Sequence, residues 1–239
     1  MRILAVDTTT AAGSLAAMET AEGPPGAPRV RACVFARSDE AYSTRLFRQL
    51  EFLLGELQWT TDAIDLYAVA SGPGSFTALR VGLAAVKGWA EVHGKPIAAV
   101  SSLEALAWEA WHTAPRGSRL VPLADARRGE IYAGIYQQNG DGVTRFCDDM
   151  VMSSAELWPH LLTLGGPAPE FVASDATFAR AVLAGSPFAS QPVVEVTPVL
   201  SPAVGRAGWL RHQRGETCDA FALDAHYVRR SDAEMQWKE

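Results

Sequence analysis

Three places in the sequence carry side chains whose kind and order suit phosphate chemistry. The first is Asp7-Thr8-Thr9-Thr10, at the end of the apolar run ILAV. A carboxylate ending a buried strand, followed by hydroxyls in a tight turn, can orient magnesium and its waters while hydroxyls and amides face nucleotide oxygens. The same residues also make an ordinary turn, because Asp and Thr side chains bond the backbone two residues on; both readings stay open. The second place is SGPGSFTALR, residues 71–80. A helix starting there would attract an anion, with Ser75 beside it. The stretch has neither the Gly-Lys-Ser/Thr ending of a P-loop nor the G-x-G-x-x-G order of a dinucleotide fingerprint. The favoured, plainer reading is that Gly72 and Gly74 permit a sharp strand-to-helix turn, Ser75 or Thr77 caps the helix, and Arg80 is a surface or interface cation. The third place is Asp125, in LADARRGE.

Other catalytic patterns are missing. His93, His112, His160, His212 and His226 fall in no H-x-x-x-H or H-E-x-x-H spacing, and no G-x-S-x-G elbow occurs. Asp148 and Asp149 read as an exposed strand end, not a carboxylate dyad, and Lys87 as a solvent-reaching or interface charge. Cys33, Cys147 and Cys218 are odd in number and far apart, which fits neither a disulfide framework nor a zinc site and points to a reducing, cytoplasmic setting.

The elements that position these residues follow from periodicity. RILAVD, GSLAAME and VRACVFAR read as an antiparallel meander. From Ser43, a fair N-cap, Leu46, Phe47, Leu50, Leu53, Leu54 and Leu57 recur three and four apart on one side of a helix. AIDLYAVA is a buried strand, residues 76–93 a second helix stopped by Gly94 and Pro96, PIAAVS a strand and SLEALAWEAWH a helix. Ala78, Gly82, Ala85 and Gly88 give the second helix a small-residue face that another helix, of this chain or of a partner, can approach closely. Then the layout repeats: RLVPLADARRGEIYAGIYQQNG is again strand, acidic turn, strand, placing Asp125 opposite Asp7. Further strands over residues 144–152, EFVAS and PVVEV alternate with helices over residues 154–164, TFARAVLAG and a last one opened by Pro202.

This duplication makes the class α/β with two similar lobes, expected over residues 1–101 and 102–230, the last helix packing back on the first lobe and residues 231–239 forming a charged tail. Two such aspartate turns facing one cleft are the arrangement of the actin and sugar-kinase class of nucleotide binders. With 239 residues and 48% hydrophobic content, the chain supports a substantial core. Its 21 basic and 27 acidic side chains leave a net charge of −6, which argues against gripping RNA or an anionic membrane unaided. No apolar stretch approaches the ~20 residues of a membrane span, and the N-terminus reads as a strand instead of a cleavable leader.

Taken together, MRILAVDTTT, GPGSFTALRVGLAAVKGWA, PIAAVSSLEALA and ADARRGEIYAGIY resemble the TsaB (YeaZ-like) family of tRNA threonylcarbamoyladenosine biosynthesis proteins, related to the glycoproteases. The resemblance runs to about Tyr136 and more loosely to HYVRR. It implies a two-lobed actin-like (ASKHA, ribonuclease H-like) fold and a non-catalytic scaffold. It also implies a homodimer when alone, a TsaD-like paralogue and a TsaE-like ATPase as partners, tRNA met only through the complex, and no membrane. The paralogue's metal motif, roughly V-N-H-L-E-G-H, reads VSSLEAL here, so Ser102 and Leu106 stand where its histidines would be, and neither replaces an imidazole on a metal. The implied partner surface is Arg45, Leu46, Gln49, Leu50 and Leu53 of the first helix with Ala78, Leu79, Arg80, Gly82 and Lys87 of the second. No tightly bound cofactor is implied; Asp7, Thr8, Thr9, Ser75 and Asp125 form a vestigial nucleotide site, with weak ATP or ADP and magnesium at a partner interface. The sequence departs from the family at Ala78, often glycine, at Tyr42, often histidine, and in the inserted ETAEGPPGAP loop. The alternative is a magnesium-nucleotide-dependent kinase or carbamoyltransferase built on Asp7, Thr8, Ser75 and Asp125. A metallopeptidase is set aside by the absent histidine pair.

Overall fold

The computed structural model describes residues 1–21 and 26–229; the expected tail lies outside the described residues. The chain divides into two compact units, one made of Met1–Ala105 with Pro198–Tyr227, the other of Leu106–Thr197 with residues 228–229.

In the first unit β1 (Arg2–Asp7), β2 (Ser14–Glu19) and β3 (Arg29–Phe35) form the expected antiparallel meander. Helix α1 (Tyr42–Leu57) leads to β4 (Leu66–Gly72), parallel to β1, and α2 (Phe76–His93) leads to β5 (Ile97–Ser101), parallel to β4. The sheet order is β3-β2-β1-β4-β5, and α3 (Ser102–Ala110) leaves its last strand. The second unit repeats this plan. Strands β6 (Arg119–Arg127), β7 (Glu130–Asn139) and β8 (Gly142–Ser153) form a meander. Helix α4 (Ser154–Thr163), β9 (Glu170–Ala173), α5 (Ala176–Leu183) and β10 (Val193–Glu195) follow, in the order β10-β9-β6-β7-β8. Strand for strand, β6–β10 correspond to β1–β5.

The division falls after Ala105, not after residue 101, and helix α6 (Ser201–Gln213) belongs with the first unit. The reason lies in two glycines. A Cβ on Gly208 would stand 2.6 Å from Ala68 Cβ, and one on Gly205 would collide with Met18, so their absence lets the α6 backbone lie flat on the sheet. The chain after α6 then straps the same unit. Ile97 and Cys218 exchange backbone hydrogen bonds of 2.8 Å along the β5 edge, Leu223 is buried in the core, and the His226 amide donates to the Ser71 carbonyl at 2.7 Å.

Opposite α6, the alternate residues Leu4, Val6, Tyr67 and Val69 meet Leu46, Leu50 and Leu53 of α1 and Leu79, Leu83 and Val86 of α2. Each such burial contributes about 1.5–3 kcal/mol before the entropy of ordering is counted. Helix α1 starts one residue before Ser43, with Ala41 at the N-cap. The second unit's core joins Val121, Leu123, Ile131 and Ile135 to Trp158, Phe171 and Phe188. Asp149, expected to be exposed, is buried and accepts from Tyr136 Oη at 2.6 Å, whereas the neighbouring Asp148 reaches solvent.

Candidate functional site

The turn after β1 is closed by the chain's own atoms. Asp7, Thr8 and Thr9 are at most 1% exposed. Asp7 Oδ1 accepts from the Thr9 amide at 2.9 Å and from Thr9 Oγ1 at 2.6 Å, while Asp7 Oδ2 and Thr8 Oγ1 are buried with no hydrogen-bond partner. The loop that follows β4 lies on this turn. The Ser75 amide donates to the Thr9 carbonyl at 2.7 Å, and a Cβ on Gly74 would stand 2.7 Å from Thr9 Cβ. From α2, Gly82 packs against Thr8 so tightly that a Cβ would overlap its hydroxyl. From α1, Tyr42 Oη donates to the Thr10 carbonyl at 2.7 Å, and burial pushes the Tyr42 phenol up to about 12.

Gly74 and Ser75 thus lie directly against Thr9, and Gly82 against Thr8. Ser75 stands at the N-cap of α2, but its hydroxyl makes no capping bond. Asp125 lies in the second unit, near the end of β6. Its Oδ1 accepts from the Arg127 amide at 2.7 Å and its Oδ2 is 3.3 Å from Arg127 Nη1. The bond from the aspartate to the amide two residues on is thus the same in both copies of the repeat.

Burial raises the Asp7 carboxyl above its ordinary value, the two Thr9 bonds opposing only in part. The folded state therefore holds a proton that the unfolded chain has released, and the stability lost to this group grows as pH rises from about 4 toward the folded value. Asp7→Asn, which cannot ionise, is expected to be more stable than the wild type at pH 7, by on the order of 1 kcal/mol. Its advantage should shrink toward pH 4. Urea unfolding of both proteins across that range checks it, and an equal or larger loss of stability at pH 7 would refute it.

The positions of the paralogue's metal motif are also occupied differently. Ser102 Oγ donates to the Pro73 carbonyl at 2.6 Å and Leu106 is buried apolar surface, so neither residue suits a metal. No cluster of three potential ligands occurs among the described residues.

The helical surface expected on α1 and α2 needs correction. Arg45, Leu46, Leu50, Leu53, Leu79 and Gly82 are all buried within the first unit. Arg45, placed on a rim by its charge, instead donates to the carbonyls of Ala36 at 3.0 Å and Ala11 at 3.1 Å and stacks on Tyr42. Gln49, Ala78 and Lys87 are half-buried, and Arg80 is exposed, with its Nε donating to Tyr227 Oη at 2.9 Å. What α1 and α2 do expose is a different set. Phe47 is 54% exposed with its ring edge-to-face on Trp89, and Val92 is 77% exposed. Ala84, Gly88 and Val92 recur every fourth residue along the outer side of α2, and beside Gly88 the space for a side chain is open. The small-residue pattern contained this stripe but did not separate Gly82, which faces the core, from Gly88, which faces solvent.

Two copies of one mixed five-stranded unit, each with its aspartate turn, define a duplicated actin-like fold. The solved structure of YeaZ from Pseudomonas aeruginosa superposes with a TM-score of 0.73 at 25% identity, covering 95% of this chain and 99% of that one. The family model described as TsaD, tRNA N6-adenosine threonylcarbamoyltransferase, matches residues 35–193, more than half of the chain. Among curated relatives, the tRNA threonylcarbamoyladenosine biosynthesis protein TsaB of Bacillus subtilis is 27% identical over 83% of this chain and 84% of its own length. The TsaB of Escherichia coli is 32% identical over 60% of this chain and 58% of its own length. The chain belongs to the TsaD-related family, in its TsaB/YeaZ-like branch.

Proposed function

We propose that this chain is a non-catalytic accessory subunit that supports a TsaD-type partner in forming threonylcarbamoyladenosine on tRNA. One contrast carries the reading: the turn where this fold would hold a nucleotide is filled by Gly74, Ser75 and Gly82, whereas the stripe Ala84, Gly88 and Val92 beside Phe47 is open. An apolar centre of small side chains flanked by charges suits a close helical contact. A surface of this kind pairs two copies of the chain when it is alone and is given over to a paralogue of the same fold when that partner is present. A TsaE-type ATPase completes the assembly in the cytoplasm, ATP or ADP with magnesium binds weakly at a partner interface, and tRNA is engaged by the assembled complex. Among the described residues no helix is long and apolar enough to cross a membrane.

Reconstitution tests this reading. The purified chain alone, with threonine, bicarbonate, ATP and the enzyme that makes the activated carbamoyl donor, is expected to leave tRNA unmodified. Adding TsaD-type and TsaE-type proteins is expected to produce modified nucleoside, and leaving this chain out to remove most of it. Modified nucleoside made without the TsaD-type protein would overturn the assignment. Calorimetric titration with ATP and magnesium adds a second check, since a kinase or carbamoyltransferase would bind in the micromolar to low-millimolar range.

A further inference from the structure

The second unit holds a cavity of about 90 Å³ between the start of β6, the last turn of α4 and the loop over residues 164–169. Val121, Ile135, Leu161 and Phe188, all buried, make its apolar wall. The loop has little freedom to fold inward. Gly165 and Gly166 turn it at φ of 57° and 85°, and Pro167 and Pro169 fix φ beyond them. The space is thus preformed, as ligand sites usually are. A single charged group lines it. Arg119 is half-buried, its Nη1 donating to the carbonyls of Leu164 at 3.4 Å and of Gly165, and its guanidinium stands 4.8 Å over the Phe146 ring. These contacts fix the guanidinium without cancelling its charge. Among the described residues Arg119 has no carboxylate partner, and its Nε and Nη2 have no acceptor.

We infer that this cavity binds a small monocarboxylate with a branched alkyl group, the carboxylate on Arg119 and the alkyl group against Val121, Ile135 and Leu161. Nε and Nη2 present parallel N–H bonds on one edge of the guanidinium, the fork that a carboxylate accepts with both oxygens. One guanidinium balances one negative charge, which favours a carboxylate over a phosphate dianion. The volume falls below the roughly 150 Å³ of an apolar cavity that accepts benzene, so it suits a branched group of about three or four carbons and not a ring. An α-ammonium group on the same acid would stand beside the guanidinium with like charge, so a free amino acid is the poorer ligand. All these residues belong to the second unit, whereas α1 and α2, which carry the proposed partner contact, belong to the first.

The test is an NMR titration of the full chain, labelled at its Ile, Leu and Val methyl groups, with 4-methylpentanoate, with the uncharged 4-methylpentanamide and with leucine. The acid is expected to bind with a Kd of about 1 mM or tighter, within the reach of a ligand of about eight heavy atoms, and to move the methyl signals of Val121, Ile135 and Leu161. Amide and leucine should each bind about tenfold more weakly or worse. Arg119→Gln should bind acid and amide alike, and Arg119→Lys should keep part of the preference. Leu164→Phe, which puts a ring into the cavity from its half-buried rim, should abolish binding of both while melting near wild type. Shifts scattered over the surface, the absence of saturation, equal binding of acid and amide to wild type, or an acid preference kept by Arg119→Gln would each overturn the inference. Where Arg119→Gln melts lower and binds neither ligand, its loss reports the loop that Arg119 ties down. The wild-type ratio and Leu164→Phe then decide: a ratio of about tenfold or more with binding abolished by the phenylalanine supports the site, and a smaller ratio or undiminished binding refutes it.

Discussion

Gly88→Arg is expected to abolish association with a second copy of the chain and with the TsaD-type partner, while the variant folds as well as the wild type or slightly better. The argument has two sides. Within the chain nothing lies within 4 Å of the Cβ that a side chain at position 88 would add, and replacing an exposed glycine inside an 18-residue helix recovers up to about 0.8 kcal/mol of helix propensity. Across an interface, the same side chain would hold apart two surfaces that meet at Ala84, Gly88 and Val92, and would place a charge in their apolar centre. A loss of at least about a hundredfold in affinity, or roughly 3 kcal/mol, follows. Light scattering of the isolated chain, calorimetry with the partner and a thermal melt read the three quantities separately. A variant that melts like wild type and still associates with wild-type affinity would show that the outer side of α2 is not the contact. Val92→Asp should weaken the same associations less, since Val92 lies farther along the stripe.

Much of the fold was legible in the sequence because local signals and the global plan agree. Helix α2 spans the residues that its stop signals indicate, closed by Gly94 at φ 60°. The repeated strand-aspartate-turn-strand layout gave the duplication, and the two sheets share one order. What could not be read was which neighbour covers each face. Spacing places Gly82 and Gly88 on a small-residue helix but carries no information on whether Thr8, 74 residues earlier, fills the groove beside one of them. Arg45 shows the same limit. Charged side chains are rarely buried without partners, and its partners are backbone carbonyls 9 and 34 residues away that only the folded loops bring together. The aspartate turn was undecided in the sequence for a different reason, since an Asx turn and a metal-nucleotide turn use the same residues. The difference lies in the space above the turn, which Gly74, Ser75 and Tyr42 occupy from elsewhere in the chain.

Gly82→Leu, by contrast with Gly88→Arg, is expected to unfold the first unit or leave it barely stable. The leucine Cβ alone would overlap Thr8 Oγ1 and crowd Thr8 Cβ at 3.3 Å, and Thr8 cannot retreat because it is buried beside β1 under the Ser75 loop. Overpacking a core typically costs about 1–3 kcal/mol and more where backbone must shift, as α2 must here, so a loss of roughly 3 kcal/mol or more follows. Gly82→Ala should fall between this variant and wild type. Denaturant unfolding followed by far-UV circular dichroism, with limited proteolysis at 25 °C, gives the measurement; a Gly82→Leu protein with the wild-type midpoint would refute the packing described for Thr8. The contrast between the two glycines also decides how a failed association is to be read. Loss of partner binding in Gly82→Leu with a lowered midpoint reports the core beneath α2, whereas loss in Gly88→Arg at an unchanged midpoint reports its outer face, and only the second maps a surface.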